Sequence, residues 1–219
     1  MAAARRTAVY LENGPKRTFA CAVDWPGWCR VARRDDAALE MLADYASRYA
    51  TVAERAGLKL PVRSAADFEV VERVPGTMTT DFGAPDVPIS LDLRPVSAAE
   101  AKRMAALLSA AWDELDEVAA RSPASLRKGP RGGGRDRDAM VAHVVAAERA
   151  YARKFDVRMS AQEMRDSGVA ELRRRILEVV ARPSDGRPPV EKGWPLRYMV
   201  RRMAWHVLDH AWEMEDRSA

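Results

Sequence analysis

The chain predicts an α+β fold, with a small αβ domain over residues 1–95 followed by an all-α, up-and-down four-helix bundle over 96–219. Three observations carry this expectation. Short, partly alternating apolar segments fill the first part of the chain. Residues 75–96 then interrupt any regular pattern with four prolines. Beyond them, four long stretches place apolar residues at the 3.6-residue helical period.

TAVYLE (7–12) is strand-like and is closed by the turn signal Asn13–Gly14–Pro15. TFACAVDW (18–25) alternates and is rich in strand formers; Pro26–Gly27 marks a turn, and CRVAR (29–33) a further strand. Asp35 and Asp36 then open one helical stretch, DAALEMLADYASRYATVAERAG. Leu39, Leu42 and Tyr49 follow its period, and Gly57 is placed to stop it. DFEVVERV (67–74) reads as a fourth strand. Residues 75–96 read as a loop with one short strand at ISLDL.

The second part opens with Ser97 and Glu100, the spacing of a capping box. Its first stripe is Met104, Leu107, Ala111, Leu115 and Val118. A Pro/Gly-rich loop follows, and then a helix with Met140, His143, Val144, Ala147 and Tyr151 in register. Ser160 and Glu163 repeat the capping spacing ahead of Val169, Leu172, Ile176 and Val179. Pro195 suits the first turn of the last helix. Its stripe runs Leu196, Met199, Met203, His206, His210 and Glu213.

The net charge of +4 comes from 36 basic residues interspersed with 32 acidic ones. Such mixing describes a solvated surface and disfavours a nucleic-acid partner, which needs basic residues gathered into a stripe. Arg173–Arg175 and Arg201–Arg202 read as surface charges spread around their helices. No apolar run reaches the roughly 20 residues that span a bilayer. With no apolar segment after the N-terminal arginines, a cytoplasmic protein without a membrane partner is expected. Cys21 and Cys29 form no metal-ligating pattern and are expected to be free thiols in that compartment. If both lie on strands they share side-chain parity, unless the Pro26–Gly27 turn resets it.

The three histidines are the most informative residues. His206 and His210 are spaced i, i+4, so both imidazoles project from one face of a helix and reach one ion. His143, on a second apolar-patterned helix, supplies a third nitrogen. Three neutral imidazoles leave coordination positions open, as catalytic metal sites do, and suit Zn²⁺, Ni²⁺, Cu²⁺ or Fe²⁺, of which Zn²⁺ or Ni²⁺ is the expected ion. Such an ion activates water or a thiol. Glu213 and Asp209 share the last helix and are the expected catalytic or imidazole-orienting carboxylates. Glu148 lies about 140° round its helix from His143, which makes it a poor ligand. The bland alternative is a pair of half-buried histidines beside Trp205 and Trp212. A basic, glycine-rich loop (Arg121, Arg127, Lys128, Arg131, Arg135 and Arg137 around Gly132–Gly134) offers either an anion-binding loop or, the favoured reading, a solvated linker.

The pieces DAMVAHVVAAERAY and RRMAWHVLDHAWEMEDR resemble the DinB-like (damage-inducible, YfiT-like) family of metal-binding four-helix bundles, over residues 97–217. The resemblance implies that His143, His206 and His210 are the metal ligands. It also implies a small-molecule substrate, a homodimer and a low-molecular-weight thiol cosubstrate (mycothiol, bacillithiol or glutathione) in a transferase, isomerase or hydrolase-like reaction. VYLENGPKRTFACAVDWPGW and DDAALEMLADYASRY resemble the HicB-like antitoxin fold. That resemblance implies a small αβ domain that meets a protein partner or serves as a regulatory module. Two functions therefore compete. One is a divalent-metal-dependent enzyme of the DinB-like class. The other is a non-catalytic binding or regulatory protein that uses its N-terminal domain, with the bundle as its structural or sensor half.

Overall fold

The computed structural model describes residues 6–62, 64–129 and 133–218. It has a four-stranded sheet at its N-terminal end, followed by helices. The strands are β1 (Thr7–Asn13), β2 (Thr18–Ala22), β3 (Cys29–Ala32) and β4 (Phe68–Pro75), in the order β3-β2-β1-β4. β1, β2 and β3 are antiparallel neighbours, whereas β4 joins β1 in parallel after a helical crossover.

The crossover is where one expected helix becomes two. The chain breaks at Tyr45 (φ −87°, ψ 4°) into α1 (Asp35–Asp44) and α2 (Ala46–Arg55). The break lets α1 lie on β2 and β3 while α2 turns toward the later helices and the turn before β3. Trp28 Nε1 donates to the Leu42 carbonyl at 2.9 Å, and the Tyr49 hydroxyl donates to the Pro26 carbonyl at 2.9 Å. Gly57 ends the segment in the left-handed region at φ +71°, as its position in the sequence suggests.

Strand parity divides the sheet's two faces. Val9, Leu11, Ala20 and Ala22 face the core under α1 and α2, while Tyr10, Phe19 and Cys21 face the other way. Both faces are covered, which is why β2 is buried along its whole length. The β2–β3 register sets Cys21 directly opposite Cys29, and the two form a disulfide. This corrects the free-thiol expectation: the Pro26–Gly27 turn preserves parity, so both sulfurs reach the same face.

Residues 75–96 hold more structure than the sequence suggests. Thr77 caps a short helix, α3 (Met78–Phe82). ISLDL forms a 3-10 turn (Ser90–Leu93) and not a strand. That turn is held from afar. Buried Asp92 takes both terminal nitrogens of Arg201, and Glu72 accepts from the Ser90 amide at 2.9 Å. Glu12, enclosed on β1, accepts the amides of Asp86 and Val87 and ties the loop to the sheet.

Four long helices complete the chain: α4 (Ala98–Arg121), α5 (Arg137–Ala152), α6 (Ala161–Val180) and α7 (Leu196–Ser218). The capping boxes at Ser97/Glu100 and Ser160/Glu163 are both formed. α6 is interrupted at Gly168, whose φ of +69° leaves the helical region. α4 packs on α7 and α6, and α5 on α7.

α7 is buried nearly all round because it lies between the other helices and the sheet. Trp205 meets Phe19 of β2 edge-to-face at 6.1 Å, and Arg30 of β3 pairs with Asp209 at 3.1 Å. Gly27 (φ +91°) sits so close to α7 that a Cβ there would fall 2.7 Å from Leu208 Cδ1 and 3.0 Å from the Ala204 backbone. The hydrophobic core is therefore continuous across residue 95. It also corrects one expectation: Arg173, Arg201 and Arg202 are buried, not surface charges. Among the described residues, no helix is long and apolar enough to cross a membrane.

Candidate metal centre

His206 and His210 stand one turn apart on α7, and His143 faces them from α5. One ring nitrogen from each histidine lies within 4.8 Å of the other two. The closest pair, His206 Nε2 and His143 Nε2, are 3.2 Å apart. Two nitrogens bound at 2.0–2.1 Å to one tetrahedral ion sit roughly 3.3–3.4 Å apart. The closest pair thus has the spacing of two ligands on one ion, and the three imidazoles have the donor chemistry for a divalent metal.

The surroundings favour neutral imidazoles, the form that ligates. Burial, reinforced by His210 and Arg202, pushes His206 down to about 2. Burial also lowers His143, with Arg135 adding to the effect. His206 Nδ1 is enclosed and has no hydrogen-bond partner.

Of the two carboxylates named from the sequence, Glu213 is the one beside an imidazole. Its Oε2 lies 3.0 Å from His210 Nδ1, and its Oε1 accepts from Arg217 Nη1 at 2.8 Å. A proton held on Nδ1 by Glu213 leaves the Nε2 lone pair free for an ion. The hydrogen bond to His210 is also the main cause that holds Glu213 below the usual carboxylate range.

Asp209, the other expected carboxylate, makes no hydrogen bond to an imidazole among the described residues. It turns to Arg30, whose guanidinium lies 3.9 Å over the Tyr45 ring, so the pair fastens β3 to α7. Glu148 is likewise engaged elsewhere, in a buried pair with Arg173. Of the two tryptophans beside the histidines, Trp212 is packed against Tyr45, and Trp205 lines a small cavity next to Arg202.

In the basic loop, Arg131 and Gly132 lie outside the described residues. Arg121 pairs with Glu215, Lys128 with Asp136 and Arg137 with Asp138, while Arg127 donates to the Asp216 carbonyl at 2.7 Å. These contacts fit a surface linker better than an anion site.

The residue that sequence reasoning missed is Arg202. It lies one turn before His206 and has no hydrogen bond or ion pair among the described residues, and its Nη1 is fully enclosed. Its i, i+4 relation to His206 was the available signal.

Comparison with protein-family models, curated proteins and solved structures gives no match.

Proposed function

We propose that this chain is a divalent-metal-dependent enzyme in which His143, His206 and His210 hold Zn²⁺ or Ni²⁺. One observation carries the reading: three imidazoles from two helices bring a ring nitrogen each within 4.8 Å of the other two, and a carboxylate oxygen lies 3.0 Å from the Nδ1 of one of them. A bound zinc ion lowers the pKa of its coordinated water to about 7, or makes a thiol into a thiolate, for attack on an electrophile.

The chain's own residues then act as follows. Glu213 keeps the proton on His210 Nδ1, and Arg217 keeps Glu213 in place. Burial keeps His206 and His143 neutral. The aromatic rings of Tyr151 and Trp205, 5.9 and 6.0 Å from the His206 ring, limit water around it. The low-molecular-weight thiol and the DinB-like assignment rest on the sequence resemblance. Elemental analysis of wild type and His206→Ala tests the reading; equal metal content in the two proteins contradicts it.

A second reading, a binding or regulatory protein, is favoured by exposed apolar side chains beside the sheet. Met78 is 76% and Phe82 is 82% exposed. Such groups mark contact sites when they gather on a surface. This reading expects Met78→Ser with Phe82→Ser to lower the mass of the particle in solution by light scattering; an unchanged mass removes its support as a self-association surface.

A further inference from the structure

We infer that Arg202 is the binding residue for a carboxylate group of a small organic acid, held beside the three histidines. The inference deepens the metal-centre reading and rests on it for the purpose of the anion; the anion site itself stands on Arg202.

Arg202 is only 9% exposed. A guanidinium stays charged at all ordinary pH values, and a buried charge without a partner is strongly unfavourable. Among the described residues, the other two arginines buried this deeply each have a carboxylate partner, although Arg201 Nε, like Arg202 Nη1, is enclosed without a hydrogen bond. Arg201 takes both oxygens of Asp92, and Arg173 takes Glu148 and Asp116. Among the described residues Arg202 makes no hydrogen bond or ion pair: its guanidinium carbon lies 4.6 Å from the Trp205 centroid and 5.3 Å from that of Tyr151. Trp205 Nε1 beside it is also enclosed and unpartnered. A charge and a donor left open together, next to a candidate catalytic centre, describe a ligand subsite more than a structural strut.

The geometry selects the ligand's class. A single cation, with its neighbour Arg201 already neutralised by Asp92, matches a monoanion. The guanidinium's planar fork can hold the two oxygens of a carboxylate by parallel N–H···O bonds, and a carboxylate carries the single charge that this site matches. On the Trp205 side lies a cavity of about 10 Å³, room for one water. On the guanidinium's other side the half-buried Tyr151 ring lies near both Arg202 and His206, so the inferred anion is placed between the guanidinium and the histidines.

Calorimetric titration of acetate, succinate and chloride into wild type, Arg202→Met and Arg202→Lys, with bound zinc measured in the same samples, tests this. Carboxylate binding is expected in wild type, to weaken about tenfold or more in Arg202→Met, and to weaken less in Arg202→Lys, with zinc content unchanged throughout. In carboxylate-free buffer Arg202→Met is expected to melt no lower than wild type, because it removes an unpaired buried charge. Equal dissociation constants in wild type and Arg202→Met overturn the inference. So does chloride binding as tightly as acetate, or no carboxylate binding at all. Should Arg202→Met not fold, unchanged carboxylate affinity in Arg202→Lys overturns it as well. Wild type that holds no zinc yet binds carboxylate in an Arg202-dependent way sinks the metal reading and leaves the anion site standing.

Discussion

Arg201 and Arg202 are neighbours on α7, both buried, and the protein treats them in opposite ways. Arg201 reaches toward the 3-10 turn at residues 90–93 and is closed by two hydrogen bonds to Asp92. Arg202 lies against Tyr151 and Trp205 and has no carboxylate partner among the described residues. The same contrast holds for the carboxylates: Asp92 and Glu148 are consumed by arginines, whereas Glu213 braces an imidazole. Buried polar groups that satisfy one another hold the fold together. Buried polar groups left open mark where a ligand is needed.

The contrast breaks most visibly on the paired side. Asp92→Ala leaves Arg201 charged and buried with no carboxylate, which is expected to destabilise the protein by about 3–5 kcal/mol. Urea unfolding measures this; a loss well under about 1 kcal/mol would mean that Arg201 needs its partner no more than Arg202 does. Glu148→Ala is expected to have a smaller effect in the same assay, because Asp116 Oδ2 remains 2.8 Å from Arg173 Nη1.

On the open side, Glu213→Gln is expected to weaken zinc affinity by about 10–100-fold with little change in stability, as loss of an imidazole-supporting carboxylate does. Competition with a chromophoric chelator reads the affinity. An unchanged value would reduce Glu213 to a surface partner of Arg217.

The smallest effect belongs to an exposed pair, Glu100 with Arg197 and the Ser97 cap. The hydrogen bond from Arg197, with those from Ser97, holds Glu100 down to about 2, below its ordinary 4.5. A carboxylate lowered on folding stabilises the fold above its unfolded value and loses that contribution as pH falls from 4.5 through about 2. Glu100→Gln should therefore flatten stability against pH in that window and leave neutral-pH stability almost unchanged, since the pair is open to solvent. An identical pH profile for both proteins contradicts this.

Local signals in the sequence marked much of this structure. The capping spacing at Ser97/Glu100 and Ser160/Glu163 placed two helix starts, and the stripe Leu196–Met199–Met203 pointed His206 and His210 inward. What escaped depends on contacts between distant segments. The turn at residues 90–93 is held by an arginine 109 positions away, so ISLDL alone reads as a strand. The Cys21–Cys29 disulfide follows from a register that only the paired strands define. Arg201 and Arg202 look solvent-facing because a one-sided helix is the usual expectation, whereas α7 is covered on one side by helices and on the other by the sheet. Glu213 continues the stripe of His206 and His210 and Asp209 does not; what Asp209 meets instead, Arg30 on β3, was outside the reach of spacing.

The most direct measurement is the metal content of the purified protein, by elemental analysis, for wild type, His143→Ala, His206→Ala and His210→Ala after equilibration with zinc. We expect about one ion per wild-type chain and its loss in each of the three variants, all still folded by circular dichroism. Wild type without stoichiometric metal, or folded variants that retain it, would contradict a three-histidine metal centre.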